Sequence, residues 1–401
     1  MNFKQVLNQR QVVPVILGSS VNAFGQVRSF AQHKIKSIVV DHQQGPAAYS
    51  KDAYFVQCAD PVKNKAQFAA DLLALGRQLT ESQHRGFILC SGDDYLYAVG
   101  SIEEQLKPNF ILPMSKWQTM EKVIDKSYLY PLAQKHDVSC PKTFIIDNIA
   151  ELEKIREQIP YPCILKPAVT VGFTEKLGLK KKAVQVESPE EMVTLEKLII
   201  AKKLDQTKLI IQEVIPGGVE NLYTVTAYTD TAADILAYSI GYKIRQYPAD
   251  AGTITAGRVT HVPELFEQAA KVLQAMNLHG ISNTEFKKDY RDGKYKLIEI
   301  NPRPGLWNFS TTAAGVNLPM LAYQNKLGEF AGPAVYSEQE LVWLLDITDF
   351  VRTLTQAKGL KAKFAALVQW FRSTRGKRVH AIWSRQDPRP FLAYLRSLIF
   401  K

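Results

Sequence analysis

Residues 279–305 constrain this chain more than any other stretch. They read as a β-hairpin, with Asp292 and Gly293 as the turn signal and Tyr295, Leu297, Ile298 and Ile300 as β-type residues on the returning strand. Glu299 and Asn301 stand two residues apart, so the period of a strand points both to one face of the sheet. Glu285 lies on the outgoing arm. It comes opposite Glu299 only if the loop is odd, for instance Arg291, Asp292 and Gly293 with Gly293 left-handed in a bulge, because a two-residue loop would set it opposite Ile300. In that register two carboxylates and an amide oxygen converge with no opposing cation between them, and Arg303 follows just beyond. Such a cluster suits a hard divalent ion: magnesium takes oxygen ligands, keeps several waters and completes its shell from substrate phosphates. The bland alternative is a solvated hairpin whose acids pair with Lys287, Lys288 and Lys294. That would suit one isolated glutamate better than this facing arrangement, which runs straight into Pro302, Arg303, Pro304 and Gly305.

A chain of 401 residues is too long for one ordinary core, so two or three domains are expected. Residues 1–10 are polar and lack the apolar core of a secretory signal, and no apolar run approaches a membrane span, so a cytoplasmic protein is expected. Cys58, Cys90, Cys140 and Cys163 are scattered, without paired spacing or a histidine at ligand distance, and read as buried thiols rather than zinc ligands or disulfides. The net charge of +11 first suggests a nucleic-acid partner, but its distribution argues otherwise. From residue 351 onward twelve Lys and Arg face a single acid, Asp387, and that excess equals the formal charge of the whole chain. The rest is neutral, the basic character belongs to a C-terminal appendage, and no nucleic-acid docking motif accompanies it.

Taken in order, residues 11–17 form a buried parallel-type strand, residues 18–25 turn it into a helix running to about residue 33, and residues 37–41 supply the next strand. This order superficially suggests a dinucleotide fingerprint with Asp41 as the ribose acid. Gly18 and Gly25 stand seven apart with no three-glycine motif, which argues against a nicotinamide cofactor. Backbone amides at that helix start could still hold a carboxylate or phosphate. Strands at 53–57 and 86–90, with a helix from about 64 to 79 between them, continue the alternation. Asp93 and Asp94 then follow a strand's carboxyl end, where substrate contact and helix capping look alike. Lys126 sits early in a helical stretch, and Lys166 ends an apolar strand before Pro167. The polar, basic loop 169–182 that follows could close over a triphosphate. An apolar strand ends at Pro216, Gly217 and Gly218, with Glu220 just after, and later strands carry Arg245 and Arg258. The tail from residue 338 has long helical periods in which apolar and basic residues mix. It reads as a helical cap with a solvated basic face, the alternative being peripheral membrane or anionic-ligand contact.

Glu285 with Glu299, Asn301, Pro302 and Arg303 resembles the metal-binding end of the ATP-grasp ligases, and the order of parts over residues 12–330 is similar to the same family. The resemblance implies an α/β plus α+β fold. An N-terminal open parallel α/β domain would span 1–115, and a two-lobed ATP-grasp domain 116–330, with lobes of about 140–212 and 213–330. A basic helical C-terminal region would span 331–401. It further implies that Lys126 and Lys166 hold ATP phosphates, that Gln212, Glu213, Val214 and Ile215 meet adenine at the lobe hinge, and that Glu220 lies on the ribose. Glu285, Glu299 and Asn301 would ligate magnesium, while Arg303 and Arg258, with Lys166, would stabilise the transferred phosphoryl group. The runs at 17–25, 90–94, 165–168, 215–218 and 292–301 look most like the carboxylate-amine ligases around the D-aspartate ligase group of bacterial cell-wall synthesis.

That resemblance implies a reaction in which a carboxylate attacks the γ-phosphorus of ATP, and an amine then displaces phosphate from the acyl phosphate to give an amide. Loop 169–182 would keep water from the intermediate. The partners implied are a small carboxylate and an amine, one of them carried by a cell-wall or surface-polysaccharide precursor. The competing class is a non-catalytic ATP-binding protein of the same fold. The acid, the amine and the oligomeric state stay open at this point.

Overall fold

A computed structural model describes residues 3–168, 177–178, 183–248, 252–330 and 332–399. Three sheets organise them. The first is parallel, formed by β1 (Val12–Leu17), β2 (Ser37–Asp41), β3 (Ala53–Gln57), β4 (Arg85–Cys90) and β5 (Phe110–Ile111) in the order β3-β2-β1-β4-β5. Near-continuous apolar runs such as that of β1 and β4 are what a sheet covered on both faces requires. The Lys65–Glu81 helix, capped by Asn64, covers one face with Phe68, Leu72 and Leu79. The Val21–Ala31 helix covers the other with Phe24, Val27 and Phe30.

The second sheet is antiparallel: β6 (Thr143–Ile146), β7 (Cys163–Pro167), β8 (Val184–Val186) and β9 (Leu209–Glu213), in the order β6-β9-β7-β8. The Pro189–Ala201 helix backs it, started by Ser188, whose side chain accepts from Glu191 N–H as the sequence indicates. The third sheet has eight strands. These are β10 (Leu222–Thr229), β11 (Ile235–Tyr247), β12 (Thr253–Thr260), β13 (Gly280–Lys288), β14 (Tyr295–Asn301), β15 (Val335–Tyr336), β16 (Leu341–Leu344) and β17 (Arg378–His380). Their order is β14-β13-β10-β11-β12-β16-β17, with β15 pairing β11.

That last sheet corrects the reading of the tail. Residues 332–399 hold the expected helices, Asp346–Gln356, Leu360–Ser373 and Arg389–Ile399, but β15, β16 and β17 extend the sheet of the preceding domain, so it runs across the expected boundary at residue 331. The helices of this region are then pinned from below. Asp349, 1% exposed, receives Arg245 Nε and Nη2 (2.9 and 2.6 Å), Thr255 Oγ1 (2.8 Å) and Trp370 Nε1 (2.7 Å). Asp387, the one acid after residue 350, is buried and accepts from the Ser50 hydroxyl (2.7 Å) and Lys51 N–H (2.8 Å). Arg28 donates to the carbonyls of His380 and Ala381 and lies over the Phe309 ring. One hydrophobic core follows from these ties, joining Phe30 and Phe87 of the first domain to Trp307, Tyr323 and Trp343.

All four cysteines are free thiols, Cys140 half-buried and the others buried. No helix among the described residues is long and apolar enough to cross a membrane. At the first strand-helix turn the Ser19 amide is engaged from within: Asp41 accepts from Ser19 N–H and Oγ (both 2.6 Å) and from Tyr95 OH (2.5 Å).

Because Asp349 is buried with a two-point arginine partner, Arg245→Ala should cost about 3–5 kcal/mol of stability by leaving the carboxylate unpaired. Urea denaturation checks this. A loss below about 1 kcal/mol, the range of exposed ion pairs, would show that the tail is not anchored through this group.

Candidate active site

The hairpin brings Glu285 opposite Glu299 and Asn283 opposite Asn301. The offset that does so is not in the turn. Near the turn Lys287 faces Lys296 and Phe286 faces Leu297, a register that continued unbroken would set Glu285 against Ile298. A bulge between Phe286 and Glu285 inserts Ile298 as an extra residue and moves Glu299 and Asn301 onto the face of Glu285. The loop has four residues, 290–293, between Asp289 and Lys294, with Gly293 left-handed at φ 74° as expected. Two bonds from outside the sheet hold the bulge: Leu297 N–H donates to Ser139 O (2.7 Å), and Tyr130 OH donates to Ile298 O (2.6 Å).

Tyr130 belongs to the Lys126–Lys135 helix, which Asp125 caps. Lys126 and Tyr130 are four apart and share one helix face, and Lys126 Nζ lies 3.4 Å from Glu299 Oε2. From the second sheet, Lys166 Nζ donates to Gln212 Oε1 (2.9 Å) and sits over the Tyr130 ring. Gln212 in turn donates to Thr143 Oγ1 (2.9 Å), so its side chain steers Lys166. Burial, with Lys126 nearby, lowers the Lys166 ammonium to about 7, against the opposing pull of Glu299.

The sequence reading finds no cation between the carboxylates, and the structure corrects this. Lys243 Nζ on β11 lies 3.3 Å from Glu285 Oε2, as Lys126 does near Glu299. Burial raises the Glu285 carboxyl, with Lys243 opposing and Glu299 adding to the rise. Burial also pushes Glu299 upward, but Lys126, the Asn301 amide and Lys166 together hold it below its usual range. Counted at their usual charges, three lysines and two glutamates leave a net positive site, which favours a polyanion.

Arg303 meets the first domain. Its Nε and Nη2 grip Asp93 at 2.5 and 2.8 Å, so Asp93, at the start of the Asp93–Ser101 helix, faces a cation from another domain. The loop after it is fixed by Asn22, which donates to Pro304 O (2.8 Å), and by Asn308, which donates to Asn22. Trp307 lies against Gly241 and Gly257, where any side chain would collide with its ring.

Arg258 is not in this constellation. It pairs in register with Tyr242, on the sheet face opposite Gly241, Lys243 and Glu285, and donates to the carbonyls of Ser373 and Arg375. The resemblance implied a phosphoryl role for it, but the tail covers that face. At the hinge, Glu213 accepts from Lys142 N–H (2.7 Å) and Arg291 Nη2 (3.0 Å), and Val214 N–H donates to Pro162 O (3.1 Å). Ile215 is buried, and Glu220 is exposed in the Val219–Asn221 turn. Of loop 169–182, all but Leu177 and Gly178 lies outside the described residues.

The donors present fit a hard divalent ion. No group of three His, Cys, Asp or Glu gathers among the described residues, so Asn301 would have to complete the set. Its Nδ2 donates to Glu299 Oε1 (3.0 Å), leaving Oδ1 free to accept beside two carboxylates.

The second and third sheets flank a cluster of lysines, with facing glutamates on the larger, an arrangement similar to the ATP-grasp fold. Residues 234–348 match the family described as ATP-grasp in the biosynthetic pathway with Ter operon. The N5-carboxyaminoimidazole synthetase of Staphylococcus aureus superposes with a TM-score of 0.63 over 86% of this chain and 84% of its own, at 15% identity. The biotin carboxylase domain of Hydrogenobacter thermophilus 2-oxoglutarate carboxylase, solved with MgADP, ADP and bicarbonate, gives 0.61 over 82% and 73%, at 14% identity. By sequence the chain is similar to the D-aspartate ligase of Enterococcus faecium (strain Aus0004), 26% identical over 333 residues, which are 80% of this chain and 78% of that one.

A bound polyphosphate returns the proton that burial takes from Lys166. Nucleotide binding without divalent ion should therefore take up a proton near pH 8, and affinity should fall by up to about tenfold per pH unit above 7. Lys166→Arg, charged throughout, should flatten that profile. Calorimetry in two buffers of different ionisation enthalpy measures the uptake, and an unchanged profile in the arginine variant would exclude Lys166 as its source.

Proposed function

We propose that this chain is an ATP- and magnesium-dependent carboxylate-amine ligase that forms an amide through an acyl phosphate. The observation that carries the proposal is the convergence of Glu285, Glu299 and Asn301 with Lys126 and Lys166, which arrive from two other elements of the fold. Glu285, Glu299 and Asn301 hold the metal, which when bound draws negative charge from the phosphates.

Bringing a substrate carboxylate to a triphosphate sets anion against anion. Lys126 and Lys166 are placed to neutralise the phosphates, the second aimed by Gln212, and both exchange an internal partner for the ligand. Lys243 opposes the burial that raises the Glu285 carboxyl and favours its protonated form. Arg303, kept in place by Asp93, presents its remaining N–H groups where charge builds on the transferred phosphoryl group. Gln212, Glu213, Val214 and Ile215, where the strand meets the hinge, are the residues placed to meet adenine, while the Glu213 carboxylate closes the hinge through Arg291. Glu220 is the acid nearest in sequence to receive the ribose hydroxyls. No side-chain nucleophile is required. The similarity to a D-aspartate ligase supports an amino acid such as D-aspartate as carboxylate, and we take the amine to belong to a cell-wall or surface-polysaccharide precursor.

A non-catalytic nucleotide-binding protein would need the lysines but not all three oxygen ligands, and the ligands are all present. The decisive measurement is amine-dependent ADP release over a panel of D- and L-amino acids with cell-wall precursors, the products read by mass spectrometry. Glu299→Gln should lower that release about 10²-fold or more, on the scale of removing one electrostatic stabiliser from a phosphoryl transfer. Unchanged turnover in folded variant protein would remove Glu299 from the metal site. Nucleotide binding without ADP release under any substrate pair would favour the binding protein.

A further inference from the structure

We propose that the tail docks this protein on an anionic phospholipid bilayer, with the Leu360–Ser373 helix lying in the plane of the interface. The inference does not depend on the reading of the nucleotide site. That helix has no buried side chain along its 14 residues. It nevertheless carries Leu360, Phe364, Leu367 and Phe371 at spacings of four, three and four, which puts all of them on one face. Leu360, Phe364 and Phe371 are 88%, 69% and 51% exposed, and Leu367 is half-buried. Single apolar side chains in water are ordinary, but a continuous stripe three turns long marks a surface that meets something apolar.

The inner side of the helix is occupied. Trp370 packs edge-on against Phe350 and donates to Asp349, and Ser373 accepts from Arg245. The stripe is therefore left over after the helix has been fixed, not a core face that failed to dock. At 100° per residue Lys361 and Arg372 border the stripe on one side and Lys363 on the other. An apolar face rimmed by cations is the arrangement of a helix that lies in a headgroup layer.

Charge points to an anionic partner. Twelve Lys and Arg follow residue 350, and their one acidic neighbour in sequence, Asp387, is buried against Ser50 and Lys51. Among the described residues only Arg389 of these cations is ion-paired to a carboxylate. A bilayer surface with acidic headgroups neutralises such cations, each Lys or Arg near it adding a favourable attraction. A nucleic acid would use the cations but leave Leu360, Phe364 and Phe371 in water. The protein lies on the bilayer rather than through it, since no helix among the described residues is long and apolar enough to cross.

Flotation of the full chain with vesicles tests this. Phosphatidylcholine vesicles containing about a third phosphatidylglycerol should carry the protein upward at low salt, pure phosphatidylcholine should not, and raising the salt should release it. Phe364→Ser with Phe371→Ser removes two exposed rings, the second also meeting Trp370 edge-on, and should weaken vesicle binding at least about tenfold with little change in unfolding temperature. Lys361→Glu with Arg372→Glu should weaken it comparably. Failure of the unaltered chain to float with anionic vesicles would overturn the proposal. So would vesicle binding indifferent to the phenylalanine pair, or retention on duplex DNA as strong as on vesicles and equally indifferent to it, since either marks a purely electrostatic surface.

Discussion

One extra residue in one strand sets the chemistry of this fold. Ile298, bulged out of the β13-β14 ladder, shifts Glu299 and Asn301 to the face that Glu285 occupies. Without the shift Glu299 would project toward the hydrophobic side that holds Phe286, Leu297 and Ile300. A bulge leaves a carbonyl without its ladder partner, and Tyr130 takes that carbonyl. The same tyrosine stands under Lys166 and beside Gln212, and its helix opens with Lys126. Register, ligand direction and lysine placement are therefore one problem with a single solution centred on a buried phenol.

The electrostatics follow from that geometry. Half-buried carboxylates that face each other cannot both ionise cheaply, and here each is given its own lysine. Lys166 is the contrary case, an ammonium whose strongest hydrogen-bond partner is a neutral amide. The site thus holds its charges in internal pairs that are worth less than pairing with a triphosphate and a divalent ion, and a ligand has only to exchange partners rather than strip water from naked ions. Such an interior is neutral enough to fold and polar enough to bind.

What the sequence made legible was local. The period-two placement of Glu299 and Asn301, the left-handed Gly293, the Ser188 cap and the alternation of the first domain all appear where the residues put them. The opposition of Glu285 and Glu299 was anticipated for the wrong reason: an odd turn would have sufficed, but the offset came from a hydroxyl 168 residues away. Lys243 was missed because its neighbour across the sheet is set by the β10-β11 and β10-β13 pairings, which no short window displays. The run Ser239, Gly241, Lys243, small and polar on one side of a long strand, was the available signal. Arg258 failed in the opposite way, being a plausible cation whose face is sealed by a segment more than a hundred residues later. The tail misled because its strands are only two to four residues long and borrow their hydrogen bonds from elsewhere.

The grip of Asp93 on Arg303 also bears on how such proteins can be recombined. An exchange at the end of the first domain would separate a carboxylate from the guanidinium it restrains, together with Asn22 from the loop it fastens. The two halves of the chain are consequently a matched set. A hybrid that kept either half unaltered would inherit a mispaired joint beside its reacting centre, and lineages that diversify their substrates are constrained to revise both halves in concert.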